Sequence, residues 1–134
     1  MKMSLPVMTV RLKNVLEYYD GPILMTVVDS VDTIYICQLI DRATEFDEFF
    51  CVPVSQSSLE LFYLGRIDLR DIFIKPEKRY FSLVKVVNYE EPMDFESIAE
   101  EDIASEWYPD IGFKLTAYPK LTAYSAQLGA LKSM

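Results

Sequence analysis

Apolar and polar residues succeed one another along this chain in short blocks, and the blocks read as alternating strands, turns and short helices. Thr9 to Lys13 alternates in the manner of a strand, but Leu12, Val15, Leu16 and Tyr19 recur at helical spacing. The second pattern points to a short helix ending at Asp20-Gly21-Pro22, because Gly and Pro punctuate whatever precedes them. Ile23 to Val28 is rich in β-branched residues and predicts a strand, followed by a polar turn at Asp29-Ser30-Val31-Asp32. Thr33 to Ile40 predicts a second strand, apolar on both faces and therefore central and covered on both sides. Asp41 to Asp47 reads as an exposed hairpin loop and Glu48 to Val54 as a third strand, which ends at Pro53 or runs along an edge, since proline lacks a ladder N–H. Three strands on short links predict an antiparallel meander.

Ser57 followed by Glu60 has the spacing of a capping box, with Leu59, Phe62 and Tyr63 on one face behind it and Gly65 just past the end. Asp68 can cap a second short turn over Leu69 to Phe73, and Tyr80 to Val87 predicts a fourth strand. Ser97 and Glu100 repeat the capping-box spacing, and Ala99, Ile103 and Trp107 form a stripe that predicts an acidic helix near 97–108. The fold expected is α+β: an antiparallel sheet of about four strands with short helices packed on one face. It forms one domain over residues 1–113. Residues 114–134 read as a tail, in which Lys114-Leu115-Thr116-Ala117-Tyr118 is repeated as Lys120-Leu121-Thr122-Ala123-Tyr124. Two copies of five residues are too short for a solenoid.

Charge sharpens the picture near the C-terminus. The chain of 134 residues has a formal net charge of −8, and the window from Tyr89 to Phe113 contains nine acids and no base. The remainder is almost neutral, so one segment carries the charge. An acidic chain of this kind does not attract a phosphate backbone, which argues against direct nucleic-acid binding. No apolar run is long enough for a membrane span, and the N-terminus lacks the pattern of a secretory signal. Cys37 and Cys51 sit singly in apolar stretches, as reduced cytosolic thiols do. The expected location is the cytoplasm.

The sequence has no histidine and four glycines, with neither a phosphate-binding loop nor a dinucleotide fingerprint. Histidine-based nucleophilic and acid–base sites are thereby excluded. No catalytic residue, cofactor or metal site is read from the chain. Asp20, Asp29, Asp32, Asp41, Asp68 and Asp71 fall at element ends, where they serve caps and turns more readily than a cation.

Three stretches, Tyr18-Tyr19-Asp20-Gly21-Pro22, Val52-Pro53-Val54-Ser55 and Gly65-Arg66-Ile67-Asp68-Leu69-Arg70-Asp71, resemble in order and spacing a group of small bacterial proteins of unassigned function. The similarity spans about Leu12 to Val87. It implies a bacterial or phage source and brings no catalytic residue with it.

The expected function is a noncatalytic protein-interaction module, an accessory or regulatory subunit whose partner is another protein or a second copy of itself. Candidate contact residues are the aromatics Tyr18, Tyr19, Phe46, Trp107 and Tyr108 and the acids Glu100, Glu101, Asp102 and Glu106. An alternative is an acidic inhibitor that imitates nucleic acid and occupies a basic groove of a nucleic-acid-binding protein. A carboxylate-dependent metal enzyme is a second alternative.

Overall fold

A computed structural model of the chain describes residues 8–113 and 115. Six antiparallel strands follow one another in sequence order, and the last pairs with the first to close a barrel. They are β1 (Met8–Tyr18), β2 (Pro22–Val28), β3 (Ile34–Arg42), β4 (Asp47–Pro53), β5 (Phe81–Val86) and β6 (Met93–Ile98). Two short helices, α1 (Gln56–Tyr63) and α2 (Leu69–Ile74), are inserted between β4 and β5. The expected α+β sheet of about four strands is therefore incorrect. Closure leaves no open sheet edge, which is how barrels avoid edge-to-edge pairing.

Two strands account for the difference. The segment read as a first helix is β1, and its helical spacing comes from bulges. The register with β2 shifts between Leu12 and Asn14, between Val15 and Glu17, and between Glu17 and Tyr18. Each bulge inserts a residue and breaks strict alternation. Val10, Leu12 and Val15 consequently all point into the barrel, while Leu16 belongs to the outer core. The second strand is β6, where Met93 and Phe95 face inward and Asp94 and Glu96 face solvent.

The acidic helix expected near 97–108 does not form. Ser97 is already paired with Ser82 in the β5–β6 ladder, so it cannot cap a helix. The chain continues through two single 3₁₀ turns, Glu100–Asp102 and Ser105–Trp107, separated by extended backbone at Ile103 and Ala104. Glu100, Glu101 and Asp102 thus occupy a tight turn rather than the first turn of a helix.

Hydrophobic residues form two layers. The barrel interior is filled by Val10, Leu12, Val15, Met25, Val27, Cys37, Phe49, Cys51, Val84, Val86 and Met93, among others. One end is plugged by Tyr35 and Phe95, whose ring centroids are 4.6 Å apart, with Tyr80 stacked on Phe95 at 6.2 Å. At the other end Tyr89 meets Phe49 edge-on at 6.2 Å. The second layer lies outside the wall and centres on Phe50, which is fully buried and contacts the rings of Phe73, Phe81, Trp107 and Tyr108. Apolar residues on both faces of β3 and β4 are explained by these two layers: Cys37 and Cys51 point inward, Ile36, Phe50 and Val52 outward.

Both members of the capping box expected at Ser57 and Glu60 are replaced by other residues. Ser55, not Ser57, caps α1, its hydroxyl accepting from Ser58 N–H at 3.1 Å. The carboxylate that receives the cap residue's own N–H is Glu77, at 2.6 Å, from the segment leading to β5. Gly65 ends α1 in a Schellman arrangement: it donates to Phe62 O, and Arg66 donates to Leu61 O. Its φ of +73° is the conformation glycine adopts without steric penalty. Asp68 caps α2 as the sequence suggests, accepting from Arg70 N–H at 3.1 Å. No helix among the described residues is long and apolar enough to cross a membrane. The repeat expected in the 114–134 tail lies, Leu115 apart, outside the described residues.

Candidate interaction surface at one barrel end

The β1–β2, β3–β4 and β5–β6 connections all emerge at the same end of the barrel, because consecutive strands alternate in direction. The β1–β2 connection is a tight loop, Tyr19-Asp20-Gly21, in which Asp20 has φ +56° and Gly21 has φ +128°. Glycine adopts such angles without steric penalty, and aspartate tolerates the left-handed region. The loop is fastened by Arg42, the last residue of β3. Its Nη1 donates to the carbonyls of Tyr19 and Asp20, each at 2.9 Å, and its Nη2 donates to Pro22 O at 2.7 Å. Its Nε is 3.4 Å from Asp47 Oδ1 at the start of β4. Asp47 in turn accepts from the Tyr89 hydroxyl at 2.5 Å.

Arg42 and Asp47 together therefore tie three loops, the guanidinium holding the first and the Asp47 carboxylate reaching the third through Tyr89. The planar fork of arginine suits this role, since its five N–H donors are fixed in direction. Burial and the Asp47 carboxylate both push the Tyr89 hydroxyl well above the ordinary tyrosine range, so it stays protonated as a donor. The loop so fixed presents two aromatics to solvent: Tyr18 is 51% exposed and Tyr19 is 78% exposed. Phe46, in the β3–β4 loop, is half-buried beneath the Lys85 ammonium, which lies 5.0 Å from its ring centroid.

Of the residues singled out from the sequence, Tyr18, Tyr19 and Phe46 share this end. Trp107 and Tyr108 do not. They are half-buried on the outer wall against Phe50, and Trp107 O accepts from Gln38 Nε2 at 2.8 Å. Glu100 is paired with Arg79 in a bidentate contact, while Glu101, Asp102 and Glu106 are exposed in the 3₁₀ segment. The nine candidates thus divide into an exposed aromatic end, a packed aromatic pair and an acidic turn region. Sequence reasoning missed Arg42, Asp47 and Tyr89, which set the loop's shape through contacts between segments distant in the chain.

The remaining candidate chemistry is occupied locally. Asp29 accepts from Val31 N–H, Thr33 N–H and the Tyr35 hydroxyl, which closes the β2–β3 turn. Asp68 accepts from Gly112 N–H as well as capping α2. Among the described residues no three of His, Cys, Asp or Glu stand close enough together to hold a metal ion. Cys37 and Cys51 face each other across β3 and β4 as free, buried thiols. Burial, with the neighbouring Cys37 thiol adding to it, pushes the Cys51 thiol well up, which suppresses its reactive thiolate.

A family model described as a family of unknown function (DUF6575) matches residues 7–126, nearly the whole chain. The chain belongs to that family. No curated protein and no solved structure matches it.

Proposed function

We propose that this chain is a noncatalytic protein-interaction module, an accessory or regulatory subunit of a bacterial or phage system, which docks its partner on the barrel end that carries Tyr18 and Tyr19. The observation behind this reading is that two exposed tyrosines stand at a tight loop whose carbonyls are held by Arg42. Tyrosine offers large contact area with few rotatable bonds and is enriched at interface hot spots. A loop already fixed before binding loses little conformational entropy on association. The partner is another protein or a second copy of the chain.

The test is affinity capture from the native host with the intact chain as bait, run beside a Tyr18→Ala/Tyr19→Ala bait. A stoichiometric partner retained by the first and lost by the second supports the reading. Equal retention by both contradicts it. Size-exclusion chromatography of the purified chain separates self-association from a different partner.

A second reading, the acidic imitation of nucleic acid, draws on the exposed carboxylates of β6. Asp94 and Glu96 lie on its outer face between the Glu90-Glu91 loop and the Glu100–Asp102 turn. Residues two apart on a strand are about 6.6–6.8 Å apart, so the acids follow one line down the barrel. Two of them have cationic neighbours: Asp94 is in register with Lys85, and Glu100 pairs with Arg79. This reading requires a nucleic-acid-binding partner and steep salt dependence.

A further inference from the structure

The docking end has a charge as well as a shape, and the charge is one-sided. Asp20, Asp41, Glu45, Glu90 and Glu91 are all exposed in or beside its three loops. None of these five carboxylates forms an ion pair among the described residues. Among the described residues, the two cations of the same region are already engaged. Arg42 is turned onto three carbonyls and Asp47, and Lys85 lies over Phe46. The surface around Tyr18 and Tyr19 is therefore aromatic in the middle and anionic at the rim. Loops spaced within roughly a screening length of about 8 Å act on a ligand together.

That combination is complementary to a guanidinium or ammonium group. A cation gains from the face of a tyrosine ring and from a carboxylate beside it. The molecule satisfies its own Arg79 this way, over the Phe81 ring at 5.7 Å and paired with Glu100. We infer that the partner presents a cationic, arginine-rich segment to this end, its side chains stacking on Tyr18 and Tyr19 and its charges meeting the rim. The inference rests on the docking reading above and adds the partner's chemistry to it.

A short peptide alternating Arg and Gly, titrated into the isotope-labelled full chain, is the direct probe, with a Glu-Gly peptide as comparator. Saturable amide shifts centred on residues 18–21 and 88–91 are expected with the first and none with the second. Tyr19→Ala is expected to weaken the Arg peptide about fivefold or more, and so is the triple variant Asp20→Asn/Glu90→Gln/Glu91→Gln. Asn is the conservative choice at residue 20 because it tolerates the left-handed backbone. Glu101→Gln/Asp102→Asn, in the 3₁₀ turn region, is expected to change nothing. Shifts centred on residues 100–106, or affinity indifferent to Tyr19→Ala, would overturn the inference. The captured partner separates the two claims. If its binding survives neutralisation of the rim but not loss of the tyrosines, the docking end stands and the cationic partner fails. If it survives loss of the tyrosines, the docking end itself is wrong.

Discussion

A Cβ built on Gly21 would lie 3.0 Å from Nη2 of Arg42, close enough that the guanidinium would have to give way by a few tenths of an ångström if residue 21 carried a side chain. The Tyr-Tyr-Asp-Gly-Pro stretch acquires a physical meaning from this contact. Its glycine allows the approach, its backbone carbonyls receive the arginine, and its tyrosines are left facing outward.

Gly21→Ala should therefore destabilise the barrel end. The cost combines a disfavoured φ of +128° with displacement of Arg42. Strained backbone of this type costs about 1–3 kcal/mol per residue. Urea melts of the variant should show a loss of unfolding free energy of that size, and an unchanged value would mean that the loop relaxes freely.

Leu59→Ala should cost about 2–5 kcal/mol and Phe50→Ala about 3–5 kcal/mol, the usual range for truncating buried large side chains. Leu59 belongs to the outer layer that α1 lays on the wall, and Phe50 is the ring on which that layer converges. The same melts check both. A loss below about 1 kcal/mol for Leu59→Ala would show α1 to be peripheral to the fold.

The thiols should be present, unlinked and slow to react. Alkylation without reductant, followed by intact mass, should add nothing quickly to the folded chain and two labels in denaturant. Cys37 and Cys51 are opposed across a strand pair, so a bond is a real alternative outcome. Loss of labelling in denaturant would establish it.

Alkaline titration should expose the buried tyrosines. Burial and the Asp29 carboxylate raise the Tyr35 hydroxyl well above its ordinary value of 10.0. Above about pH 10 the unfolded chain loses this proton while the folded chain keeps it, so the folded state binds more protons and stability falls as pH rises. Below that pH the contribution is fully present. The slope approaches about 1.4 kcal/mol per pH unit for one group, and Tyr35→Phe should reduce it by that amount. A slope unaltered by the substitution would remove Tyr35 as its source.

Much of the meander was legible because β2, β3, β4 and β5 follow simple rules. β-Branched content, turn residues and the Pro53 stop locate them within a residue or two. Closure was not legible. It depends on bulges in β1, which spread inward-facing residues over a spacing that imitates a helix, and on β6, whose alternation is obscured by its acids. The aromatic candidates were similarly mixed. Composition marks Tyr19 and Trp107 alike, and only the fold puts one in solvent and the other beside Phe50. Arg42 carries no local signal at all, since its partners lie 20 or more residues away along the chain, except for Asp47.

The affinity of the captured partner for two variants tests the docking surface most directly. Tyr18→Ala/Tyr19→Ala alters the aromatic end, and Glu101→Lys/Asp102→Lys/Glu106→Lys reverses the acidic turn region, each with its fold checked by urea melt. If the tyrosines are the anchors, the first variant should lose about 2 kcal/mol or more, roughly 30-fold in Kd, on the scale of an interface hot spot. The second should alter mainly the association rate. Full affinity without the tyrosines, with binding abolished by charge reversal, would contradict the account and favour the acidic-mimic reading.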